Sequence, residues 1–92
     1  MSHYREQPFK VSKGDQGGWV VEFDGKGVPV SSRSDAMLLA DLPVQLYKAN
    51  SKDERPDLDR IERILVLCDE YQLDHSFGAV RQLRAWFKRN RR

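Results

Sequence analysis

The chain has 92 residues, 33% of them charged and 39% hydrophobic, with a formal net charge of +2. That length fits one domain with one core and leaves little room for a deep substrate cleft. A single cysteine, Cys68, excludes an internal disulfide and, without a Cys/His cluster, a zinc site; no run reaches the length of a membrane span and the N-terminus has no apolar leader, so a cytoplasmic protein is expected.

Residues 1–8 read as a loose, flexible arm ending at Pro8. Phe9 to Ser12 alternates apolar and polar, the period of a strand. Lys13 to Gly18 is a turn, because its glycines supply the positive φ of tight connections. Trp19-Val20-Val21-Glu22-Phe23 is aromatic and β-branched, with Trp19, Val21 and Phe23 on one face and Val20 and Glu22 on the other. Asp24-Gly25 between two strand-like runs predicts a hairpin, with Val28 to Ser31 as the returning strand. Pro29 donates no ladder hydrogen bond, which puts that strand at an edge. Residues 9–31 therefore form an expected three-stranded antiparallel meander.

The first helix is expected over residues 34–50, with Ser34 as N-cap and Asp35 in the first turn. Leu38, Leu39, Leu42 and Leu46 share one arc at ~100° per residue. Pro43 breaks the helix near Leu42, with Asp41 capping the restart. Ala49 to Arg55 is a charged linker. Pro56 then opens a second helix, residues 56–72, with Asp57 and Asp59 in its first turn. Its apolar stripe, Leu58, Ile61, Ile64, Leu65, Leu67, Cys68 and Tyr71, is wide enough for the central helix of the core. Asp74 or Ser76 caps the third helix, residues 76–90. There Ala79, Val80, Leu83, Trp86 and Phe87 fill one arc and basic residues fill the rest.

Charge is distributed unevenly. Residues 81–92 hold Arg81, Arg84, Lys88, Arg89, Arg91 and Arg92 and no acid, while the other residues carry 10 bases against 14 acids. A clustered basic end points to an anionic partner, although arginine stems covering apolar neighbours at a helix C-terminus produce the same pattern. The other candidate groups read as structural. His3 lies in the arm. Asp74-His75-Ser76 is a capping turn, because triad members meet through the fold and not as sequence neighbours. Cys68 lies on an apolar stripe, where cysteine behaves as a small hydrophobe. Gly14, Gly17 and Gly18 precede a strand, whereas a phosphate-cradling loop follows one and opens a helix.

The run from Asp57 to Asn90 differs from a helix-turn-helix: its connection lacks glycine and its arginines crowd the C-terminal half of the second helix, away from the reading end. The Trp19 strand and the Asp24-Gly25 hairpin loosely resemble the three-stranded sheet plus helix of phage-integrase arm-binding domains, a likeness of topology alone. Those sheets are basic, whereas this one sets Asp15, Glu22 and Asp24 against Lys10, Lys13 and Lys26.

The expected fold is α+β: a three-stranded antiparallel N-terminal meander followed by three helices in a single small domain. The expected function is a non-enzymatic binding module that contacts nucleic-acid backbone, without sequence readout, through Arg81, Arg84, Lys88, Arg89, Arg91 and Arg92. No catalytic set converges, and no cofactor, metal, membrane or small-molecule substrate is expected. The alternative is a protein-interaction or self-assembly module. It would use the edge strand near Val30, or the acids of residues 41–80 against the basic helix of a second copy as a homodimer.

Overall fold

The chain is described by a computed structural model over residues 7–23, 25–73 and 77–90. The expected antiparallel meander is present, in strand order β1-β2-β3: β1 Val11–Lys13, β2 Trp19–Phe23 and β3 Lys26–Val30. Four helical segments follow: α1 Arg33–Ala40 and α2 Leu42–Ala49, the two halves of the broken first helix, then α3 Leu58–Glu70 and α4 Gly78–Asn90.

The alternation in β2 directs the packing. Val21 and Phe23 are fully buried and Trp19 is half-buried on the same face, while Glu22 is exposed. The register pairs Val21 with Val11 on one side and Val28 on the other, so one face of the sheet is apolar across all three strands. That face packs on α1. Pro29 pairs with Val20 on an edge strand, as its missing N–H requires. Phe23 pairs with Lys26 across the hairpin, and Gly25 takes φ 87°, a conformation that a side chain disfavours. The strand limits shift from the sequence expectation. Phe9 precedes β1, its N–H donating to the Ala40 carbonyl (2.8 Å) and tying the strand entry to the end of α1. The returning strand starts at Lys26, because the hairpin loop is only two residues long.

Helix limits differ from expectation: α4 starts at Gly78 rather than at residue 76, and three further differences have a local reason. Ser32, not Ser34, caps α1: its extended backbone (φ −138°, ψ 155°) lets Oγ accept from the Asp35 N–H at 3.1 Å. Asp57 caps α3 by accepting from the Arg60 N–H at 3.1 Å, which leaves Pro56 just outside the helix. α3 stops at Glu70 in a Schellman motif: Gln72 adopts φ 59°, its N–H reaches the Asp69 carbonyl, and the Leu73 N–H reaches the Cys68 carbonyl. Leu73 is buried there, the apolar contact that accompanies such a cap. The break at Pro43 lies where expected. Asp41 ends α1 and precedes α2, but its side chain makes no cap; it accepts from Gln45 Nε2 at 2.9 Å and pairs with Arg60. Residues 1–6 of the expected 1–8 arm, the hairpin residue Asp24 and the capping roles of Asp74 and Ser76 lie outside the described residues.

One core joins the sheet to all four helices. Leu39, Leu42, Leu46, Ile61, Ile64, Cys68, Val80 and Leu83 are almost wholly buried in it. Phe77 returns the chain to the sheet, its ring edge-on to Phe23 at 5.2 Å, and Phe23 also meets Phe9 at 4.9 Å. Tyr71 fastens α3 to the start of α1: its hydroxyl donates to Asp35 Oδ2 at 2.9 Å and accepts from the Ser31 N–H at 3.0 Å. Gln45, the buried polar residue of the core, donates to Asp41 and accepts from the Asp57 N–H at 2.9 Å, so the linker is clamped where it enters α3.

Candidate functional site

α4 is held by its apolar arc. Ala79, Val80 and Leu83 are buried, and Trp86 and Phe87 are half-buried against the same core. At ~100° per residue the opposite arc carries Arg81, Lys88 and Arg89, all exposed, with Ala85 between them. None of these three cations makes an ion pair among the described residues. Arg84, at the margin of the arc, differs: its guanidinium donates to Asp69 Oδ1 at 2.8 Å across to α3. Among the described residues the expected basic face is thus divided, with three cations free of ion pairs and one engaged. Arg91 and Arg92 lie outside the described residues.

The solvent face of α3 is the electrostatic opposite. Asp59, Glu62, Asp69 and Glu70 are exposed along it, with Arg63 as the opposing base. In their midst stands Val66, 51% exposed. Two shallow hollows flank it. One, of about 290 Å³, lies between α3 and α4 and is lined by Glu62, Leu65, Val66, Asp69, Arg84, Phe87 and Lys88. The other, of about 240 Å³, lies towards α1 and is lined by Leu38, Glu62, Arg63, Val66 and Leu67. Sequence reasoning missed this apolar seam, although the signal was present: Val66 falls roughly opposite the centre of the α3 stripe at 100° per residue. Leu58 was assigned to the stripe, yet it is 43% exposed at the first turn, where the core has not yet closed around the helix.

Among the described residues, the remaining chemistry-bearing groups do not gather into a site. Cys68 is fully buried in the core. Burial pushes its thiol up to about 12, with Arg84 pulling it down and Asp69 pushing it up by less, so it carries no thiolate at neutral pH. Among the described residues no three His, Cys, Asp or Glu side chains gather as metal ligands, and no helix is long and apolar enough to cross a membrane. His3 and the Asp74-His75-Ser76 turn lie outside the described residues. Comparison with protein-family models, with curated proteins and with solved structures found no match.

Proposed function

We propose that this chain is a small, non-enzymatic binding module that contacts the phosphate backbone of nucleic acid through the outer stripe of α4. The observation that carries the reading is the trio Arg81, Lys88 and Arg89: exposed, free of ion pairs among the described residues, and held on a helix whose other arc is anchored in the core. Arg81 and Lys88 are seven residues apart, about 10 Å along a helix axis, so the two cations can meet different phosphates. Arg91 and Arg92 extend the same cationic sequence. Arg84 contributes least, because a phosphate must compete with Asp69 for it. Contacts of this kind fix position without reading bases, so discrimination among sequences is slight. The proposed setting is the cytoplasm, where a lone buried thiol stays reduced.

Fluorescence anisotropy of labelled duplex and single-stranded oligonucleotides at low salt tests the proposal. Binding to both is expected. Replacing Arg81, Lys88 and Arg89 together with Gln weakens it about equally for every sequence. Absence of binding to either at tens of micromolar protein overturns the reading. A second reading, a protein-interaction module, is favoured by a separate observation: Val66 and its two flanking hollows form an apolar seam beside the cations.

A further inference from the structure

The α3–α4 pair places two oppositely charged helix faces side by side with an apolar seam between them. The order along the pair is antiparallel: Asp69 of α3 lies beside Arg84 of α4, and Glu62 and Lys88 line the same hollow one step further on. Val66, Leu65 and Phe87 form the floor between these rows. Val66 is half-exposed in the middle of four acids, so water covers an aliphatic side chain where the helix has no intramolecular use for one.

We propose that this face docks a second copy of the chain about a two-fold axis running parallel to α3 and α4. The charge pattern selects both the partner and the axis. A two-fold parallel to the helices lays α3 of one copy over α4 of the other at the same height, so Glu62 meets Lys88 of the second copy, and the reverse contact follows by symmetry. Asp69 likewise comes over Arg84, joining two intrachain pairs into a four-charge cluster. A two-fold perpendicular to the helices stacks α3 on α3, setting acids on acids, and is disfavoured. In the favoured arrangement the two Val66 side chains approach the axis and each seam covers the other. Any other protein would have to reproduce both charged rows and the apolar floor in mirror order, which a second copy does by symmetry alone. The proposal does not rest on the nucleic-acid reading, but the two compete for Lys88, which cannot face a phosphate and Glu62 of the second copy at once.

Light scattering coupled to gel filtration, on nuclease-treated protein whose absorbance ratio excludes bound nucleic acid, tests it. At on the order of 0.2 mM chain the expected mass is twice that of one chain, falling towards one as salt rises. Val66→Asp, Glu62→Lys and Lys88→Glu are each expected to be monomeric with unchanged circular dichroism, because all three positions are exposed. An equimolar mixture of the Glu62→Lys and Lys88→Glu chains regains the doubled mass, since each reversed charge then meets its opposite across the axis. A wild-type chain that stays monomeric overturns the proposal and leaves the seam to a different protein. A dimer that survives Val66→Asp, or a mixture that stays monomeric, overturns it as well, because the contact then lies elsewhere or uses another axis.

Discussion

The sheet and the α3–α4 pair treat their outer faces differently. On the sheet, Val21, Phe23, Val28 and Val30 point into the core, Glu22 and Pro29 face water, and Lys26, at the rim of the core face opposite Phe23, covers the Phe77 ring with its ammonium. Such a face is complete in a monomer. On the α3–α4 pair the inner arcs are equally complete, but the outer surface is not. It segregates charge by helix and leaves Val66, Leu65 and Phe87 along an open seam. The contrast separates residues that hold the fold from residues that the fold presents, and it places the presented ones on one side of the molecule.

Substitutions sharpen that contrast by the size of their effect on stability. Phe23 is wholly buried between Phe9 and Phe77, so Phe23→Ala is expected to cost about 3–5 kcal/mol in denaturant unfolding. A loss under about 1 kcal/mol would show that the sheet face is not part of the core. Leu65 lies at the boundary, buried but lining the hollow; Leu65→Ala is expected to cost about 2–5 kcal/mol, which places it with the holding residues. Tyr71→Phe removes a hydroxyl that joins Asp35 and Ser31 and should cost about 1–2 kcal/mol. Arg84→Gln is expected to change stability by under about 1 kcal/mol, because its pair with Asp69 is solvent-exposed. Cys68 belongs to the inner arc, and its raised thiol should resist a thiol reagent until denaturant is added; rapid labelling of native protein would move α3 out of the core.

Much of the fold was readable from local patterns. The β2 run and Asp24-Gly25 located the hairpin, Pro29 the edge strand, and Pro43 the helix break, because each acts through its own backbone. What escaped depended on tertiary neighbours. Ser32 caps in place of Ser34 since the α1 register is set by burying Ala36 and Leu39. Gln45 is polar, yet it is buried because Asp41 and the Asp57 N–H satisfy both ends of its amide. The basic arc of α4 was visible in composition, but its division was not: Asp69, fifteen residues away, engages Arg84, while Arg81, Lys88 and Arg89 make no ion pair among the described residues. Val66 was legible as an exception to the α3 stripe, and only the neighbouring helices reveal that the exception opens into two hollows.

That the presented side of the molecule binds a polyanion is tested most directly by the salt dependence of oligonucleotide binding, compared between the wild-type chain and the Arg81, Lys88 and Arg89 to Gln variant. Each phosphate contact on a duplex contributes about 0.9 to the slope of log affinity against log salt, so losing three flattens it by about 2–3 units. That flattening is expected together with an unchanged melting temperature. Equal slopes for the two chains, or no binding by the wild type at low salt, would contradict it.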